Sequence, residues 1–182
     1  MAFNLIKKYP ELLEINHYRR DNDRDIILRK IFDRDIQEND KLIYNSKQIH
    51  PIKDTDGISS LEVLFDHLTR EKTEEIDSNG KRIACRNVFE PDRSMRIHWI
   101  KTHLDNEIKD GIVVFSIIER DKKKREDITR TYIYNTAKKY VVILENQRSN
   151  IDYYLLTAYY LNKTYGEKDI KRKMKNCLPC IV

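Results

Sequence analysis

Hydrophobic positions are most regular in the last third of the chain. Four runs there, Ile112 to Glu119, Ile128 to Asn135, Tyr140 to Glu145 and Tyr153 to Leu161, are rich in β-branched and aromatic residues. Such side chains pack well on a pleated surface, and the breaks between the runs are short and polar, so the pattern predicts an antiparallel meander of four strands. The third run, Tyr140-Val141-Val142-Ile143-Leu144, is apolar on both faces and belongs at the centre. In the second run a period of two puts Arg130, Tyr132 and Tyr134 on one face and Thr129, Thr131 and Ile133 on the other. Thr157 interrupts a fourth run that is otherwise apolar and aromatic.

Ahead of this sheet the period changes. Ile97, Ile100, Leu104 and Ile108 recur at helical spacing, Pro91 suits a first helical position, and Asp92 suits the positive end of a helix dipole. One long helix is expected from Pro91 to about Lys109, its apolar stripe laid on the sheet. At about 100° per residue, Arg93 falls inside that stripe at the first turn. A guanidinium aimed at the sheet needs a carboxylate, a carbonyl or a phosphate. Arg96 and His103 fall on one flank of the helix, His98 on the other, and Trp99 nearly opposite the stripe.

Residues 1–88 read as a mainly helical accessory region with small hairpins, packed on a core at 89–176, with 177–182 as a tail. Leu5, Ile6, Tyr9, Leu12 and Leu13 are helically spaced but interrupted by Pro10, and Ile26, Ile27 and Ile31 mark a firmer second helix. Leu42 to His50 reads as a hairpin turning at Asn45-Ser46. Ser59 can cap a short helix carrying Leu61, Leu64, Phe65 and Leu68. Ser78-Asn79-Gly80, between Thr73 to Ile76 and Arg82 to Val88, is the strongest hairpin signal. The expected fold is therefore α+β: a long helix on a four-stranded antiparallel meander, with a helical and hairpin-bearing N-terminal region.

Charge adds a direction to this picture. Lys and Arg number 35 against 30 acidic residues, and the excess is unevenly placed. From Arg120 to Arg148 there are nine basic residues against four acidic, so the positive field sits around the sheet, where it attracts a polyanion such as RNA or DNA. The N-terminus lacks the long apolar centre of a signal peptide and no run approaches a membrane span. Cys85, Cys177 and Cys180 do not make a disulfide framework, so a reducing cytoplasm is expected. Cys177 and Cys180 have the spacing of half a zinc site but no second pair, in what reads as a frayed tail.

There is no glycine-rich phosphate loop, His-Glu-x-x-His or Gly-x-Ser-x-Gly motif to support nucleotide hydrolysis, zinc proteolysis or serine-esterase chemistry. What remains is a helix bearing Arg93, Arg96, His98 and His103 beside a sheet bearing Arg130, Tyr132, Thr157 and Tyr159. RNA cleavage by its own 2′-hydroxyl needs cations for the phosphorane charge and groups that move protons, with no metal or other cofactor. Aromatics can stack on unpaired bases. The same residues also suit the wet face of an ordinary sheet, and His17, His50 and His67 have nothing in sequence to connect them to it. The residues alone leave an enzyme, a binding module and a structural protein open.

The blocks Phe89-Glu90-Pro91-Asp92-Arg93-Ser94-Met95-Arg96-Ile97-His98-Trp99-Ile100, Arg130-Thr131-Tyr132-Ile133, Tyr140-Val141-Val142-Ile143-Leu144 and Tyr154-Leu155-Leu156-Thr157-Ala158-Tyr159-Tyr160 stand in this order. Together they resemble the phage-associated barnase/EndoU/colicin/RelE-like (BECR-fold) nuclease domains of bacterial toxins and mobile elements, over residues 89–175. The resemblance implies a metal-independent endoribonuclease acting on single-stranded or tRNA-like RNA, with an acidic antitoxin or immunity protein as partner. It implies Arg93, Arg130, Tyr132 and Thr157 as catalytic residues and Arg96, Trp99 and Tyr159 as substrate-binding ones. His98, where such domains carry an apolar residue, joins the substrate-binding set on its place in the helix alone. The alternative is a non-catalytic module holding nucleic acid or a phage protein on the same basic, aromatic sheet.

Overall fold

A computed structural model describes residues 3–38, 42–52, 57–76, 80, 82–121, 125–148 and 150–182. Residues Ser78 and Asn79 of the hairpin signal, Lys122 to Lys124 of the basic turn and Asp54 to Asp56 lie outside the described residues. The strands β5 (Ile112–Asp121), β6 (Glu126–Asn135), β7 (Tyr140–Asn146) and β8 (Tyr153–Tyr160) pair antiparallel in chain order.

The expected long helix on a four-stranded antiparallel meander is nonetheless incorrect in two respects. The main sheet has six strands and is mixed, because β1 (Ile43–Tyr44) and β2 (Lys47–Pro51) join it in the order β1-β2-β8-β7-β6-β5. Asn45 and Ser46 take left-handed φ values of 49° and 64°, the geometry of a two-residue hairpin turn. β2 then runs parallel to β8, pairing Ile49 with Tyr153 and Pro51 with Leu155. Its reward is non-local: it covers part of an edge whose N–H and C=O groups would otherwise stay open.

The helix is the second correction. It breaks into α4 (Pro91–Ser94) and α5 (Trp99–Leu104), joined by a turn. The cause is a competition for one carbonyl. Asp92 O, the normal acceptor for the Arg96 N–H, takes the Arg96 guanidinium instead, and the Arg96 N–H goes to Arg93 O. Ile97 and Trp99 follow with bonds three residues back, which tighten the backbone. Ser94 Oγ bonds back to Glu90 O, a further local competitor. Asn106, at φ 55°, marks the end, so Ile108 never joins a helical stripe.

In the N-terminal region α1 (Phe3–Ile6) is a single turn, and α2 (Asp21–Phe32) continues into a π-helical turn at Asp33–Gln37. Next comes α3 (Ser60–Thr69), capped by Ser59, whose Oγ accepts from the Glu62 N–H at 3.3 Å. Removing that cap with Ser59→Ala is expected to lower the unfolding free energy by about 1 kcal/mol in urea titration. β3 (Arg70–Ile76) and β4 (Arg82–Phe89) form a separate two-stranded hairpin.

Both faces of the main sheet are covered. On one, Leu28, Phe32, Leu64, Phe65, Leu68, Ile97 and Ile100 pack against Ile133, Val142, Leu144 and Leu155. Residues 1–88 thus supply two strands and much of this core. On the other face Phe115, Tyr132, Val141 and Ile143 lie under α6 (Thr164–Lys175), which buries Ile170 and packs the half-buried Met174 against them. Burying such side chains is the main source of stability, at about 25 cal/mol per Å² of apolar area.

The tail is not frayed. Leu178 N–H donates to Ser116 O, Val182 N–H to Ser116 Oγ, and the Val182 carbonyl oxygen accepts from Thr131 and Tyr153. Cys177 and Cys180 are free and exposed. Among the described residues, no helix is long and apolar enough to cross a membrane.

Candidate functional site

The site begins at an irregularity in β8. Ile143 pairs with Thr157 and Leu144 with Leu155, so Leu156 is an extra, bulged residue. The bulge places Thr157 on the same face as Tyr132, since both flank Ile143 in register. It also falls just past Leu155, where β2 ends, so the edge of β8 is open there. The C-terminal turn of α3 fills that place. His67 Nδ1 lies 3.1 Å from Leu156 O, and the Thr157 hydroxyl donates to His67 O at 3.0 Å.

Arg93 enters from α4 at this point. Its Nη1 donates to His67 O, to Arg70 O at 3.4 Å and to Thr157 Oγ1 at 3.4 Å, and its guanidinium sits 5.7 Å from the centre of the Tyr159 ring. Arg86, on β4, donates to Arg70 O at 3.1 Å. No carboxylate of the described residues lies within 4.0 Å of either guanidinium. The end of α3 offers them roughly half a negative charge. That falls well short of two cations. Burial pulls Arg93 below the ordinary arginine range, with Glu90, Tyr140, Tyr159 and Glu71 opposing. Burial and then the Arg93 charge bring Arg86 down to about 10. Arg93 Nε is buried without a hydrogen-bond partner.

Arg130 and Tyr132 are placed differently. Arg130 Nη1 meets Glu119 at 3.0 Å and its Nη2 meets Glu145 at 3.1 Å. The Tyr132 hydroxyl donates to Glu119 at 2.9 Å and accepts from Lys173 of α6 at 2.9 Å, while Lys173 also pairs with Glu119. Two cations and two carboxylates balance. Burial alone would raise the Glu119 carboxyl, but the bonds from Lys173, Tyr132 and Arg130 outweigh it and hold the group below its usual range. Burial and the Glu119 charge push the Tyr132 phenol far up, so it acts as a neutral donor. Tyr159 is pushed up to about 12, chiefly by burial.

A cleft of about 920 Å³ opens between the β3–β4 hairpin, α3 and the end of the sheet. Asp66, His67, Lys72 and Arg86 line it on the side of α3 and the hairpin, and Asp121, Glu126, Asp127, Arg130, Glu145, Arg148 and Tyr154 on the side of the sheet. Arg93 stands behind the first wall, with Thr157 beside it.

Arg96, His98 and Trp99 belong elsewhere. Their side chains are buried: Trp99 Nε1 and His98 Nε2 both bond Glu11 O of the N-terminal region at 3.0 Å, while the Arg96 guanidinium lies 4.0 Å from the ring centre of Tyr160 on β8. They pack the fold and do not line the cleft. Burial holds His98 down at about 4 despite the Glu11 carbonyl, so it is neutral in the native state. The unfolded chain binds that proton near pH 6.5, hence stability is full above 6.5 and is lost as pH falls towards 4. From His98 alone, the unfolding free energy should drop by about 2 kcal/mol between about pH 6.5 and 5, and His98→Gln should flatten that slope.

Two cleft residues escape a sequence reading. His67 follows Val63 by four and Leu64 by three, at the margin of the apolar stripe of α3, and that spacing was its only signal. Arg86 had none, since its place depends on how the hairpin docks. The chain matches no family model, no curated protein and no solved structure.

Proposed function

We propose that this protein is a metal-independent endoribonuclease of the bacterial toxin or phage-associated type, acting on single-stranded or tRNA-like RNA. The observation that carries the reading is the pair of guanidinium groups, Arg86 and Arg93, held partly desolvated at the cleft wall with no carboxylate of the described residues within ion-pair distance of either. Such a pair is costly unless an anion completes it, and a phosphodiester oxygen fits that need. Arg86 contacts the phosphate, Arg93 adds charge from behind, and Thr157 holds the Arg93 guanidinium in place. The negative charge that grows on a phosphorane is where fixed cations act most strongly. Tyr154, at the opposite wall, offers a ring for a neighbouring base. The order of the sequence blocks from Phe89 to Tyr160 supports the same class. The enzyme works in the cytoplasm, where RNA is, and an acidic antitoxin or immunity protein would engage the Arg86 wall of the cleft, whose lining as a whole mixes Lys72, Arg86, Arg130 and Arg148 with Asp66, Asp121, Glu126, Asp127 and Glu145.

The second reading, a binding module without catalysis, is favoured by one observation: Arg130 and Tyr132 are already engaged by Glu119, Glu145 and Lys173. Expression in bacteria separates the two. Degraded total RNA with the wild type, and intact RNA with Arg93→Ala, supports the enzyme. Intact RNA with the wild type, from a purified protein that still binds oligonucleotides at low salt, supports the module.

A further inference from the structure

We infer that His67 is the general base that takes the proton from the attacking 2′-hydroxyl, an assignment that rests on the ribonuclease reading. A backbone carbonyl only accepts, so the 3.1 Å contact with Leu156 O requires the proton of the neutral ring to sit on Nδ1. Nε2 then carries the lone pair. No described residue bonds to Nε2, and the residue lines the cleft beside Arg86. A bound phosphate at Arg86 therefore brings its ribose within reach of a base whose tautomer is already set.

The ring is held firmly. Its own carbonyl accepts from Arg93 and Thr157, so the backbone of His67 is tied to α4 and β8 while its side chain is tied to the bulge. In the step, the 2′-oxygen loses its proton to Nε2 and forms a bond to phosphorus as the bond from phosphorus to the 5′-oxygen breaks. The departing 5′-oxygen takes a proton from water in the open cleft, and the imidazolium returns its own to the hydroxide so formed. The products are a 2′,3′-cyclic phosphate and a 5′-hydroxyl.

The surroundings tune the base. Burial first, and after it the positive charge of Arg86 on β4, Arg93 on α4 and Lys72 on β3, bring the ring down to about 4 in the free protein, with the Leu156 carbonyl opposing. Asp66 on the same helix is occupied by Arg70; across the cleft, Arg130 faces Glu145, Arg148 pairs with Glu126, Arg120 pairs with Asp127, and Asp121 lines the same wall. A bound phosphate cancels part of the cationic field, so substrate raises the basicity of the group that is to deprotonate it.

His67→Asn tests this, because its amide nitrogen replaces Nδ1 towards Leu156 O while nothing replaces Nε2. The expected result is a fall in kcat of about 100- to 10,000-fold, with binding of a 2′-O-methyl oligonucleotide unchanged. Cleavage close to the wild-type rate would overturn the assignment and leave the ribonuclease reading standing. Loss of oligonucleotide binding along with cleavage would also overturn it, by making His67 structural. A wild type that cleaves no RNA removes both. Should His67→Asn fail to fold, the wild-type pH profile decides: kcat/KM should have an acid limb near about 4 that moves upward in kcat, and a flat kcat from about pH 4 to 7 would overturn the assignment.

Discussion

Replacing Arg86 with leucine should lower RNA cleavage by about 100- to 1,000-fold while leaving the fold as stable as before, or more so. The two effects have one origin. In the free protein the Arg86 guanidinium is half-buried, has among the described residues a single hydrogen bond, to Arg70 O, and lies in the field of Arg93. The shorter apolar side chain removes the desolvation cost and the repulsion, and loses one bond worth about 1 kcal/mol. With a phosphate bound, the same guanidinium becomes a charge-assisted donor, and its loss falls on the transition state. Urea unfolding beside a cleavage assay reads both numbers. A variant that is destabilised by several kcal/mol, yet cleaves normally, would make Arg86 a packing residue.

The largest stability effect is expected at Glu119. Its carboxylate holds Arg130, Lys173 and the Tyr132 hydroxyl together, and Glu119→Ala leaves the two cations, among the described residues, with Glu145 and Asp169 as carboxylate partners. Breaking a fully buried pair from one side costs about 3–5 kcal/mol. These groups keep 21–23% of their side-chain exposure, so solvent screening reduces the expected loss to about 2–3 kcal/mol. Since the folded Glu119 carboxyl titrates below its unfolded value, its contribution is complete above the unfolded value and disappears as pH falls through the folded one. The wild type should therefore lose stability in acid by a step that Glu119→Ala lacks, measured as the difference in urea midpoint. Binding of an anion in the cleft should survive the substitution, because Glu119 is not part of the Arg86 wall.

The contrast between these residues shows what a chain discloses of its own fold. The strands from Ile112 to Tyr160 were readable because their alternation is local: each β-branched or aromatic position signals its own pleat. The parallel pairing of β2 with β8 was not, since it joins Ile49 to Tyr153 across most of the chain and depends on an edge left open. The break in the Pro91 helix was hidden for a smaller reason, one guanidinium taking one carbonyl. At the site, helical phase did bring Arg93 towards the sheet, and the structure finds it at Thr157. For Arg130 the alternation identified a face but not the neighbours on it. Glu119 and Glu145 meet Arg130 only once three strands are in register. His67 looked unconnected because its partner is a backbone carbonyl exposed by a bulge, and backbone carbonyls leave no mark in a sequence.

The reaction proposed for the cleft lined by Arg86 and His67 is RNA cleavage through the 2′-hydroxyl. It is tested most directly by the ends it leaves. Purified protein should be incubated, in the presence of a strong chelator, with an end-labelled single-stranded RNA and with the same strand fully 2′-O-methylated. Fragments ending in 2′,3′-cyclic phosphate and 5′-hydroxyl are expected from the first, and no cleavage of the second. Intact RNA in both, or fragments with 5′-phosphate ends, would contradict it.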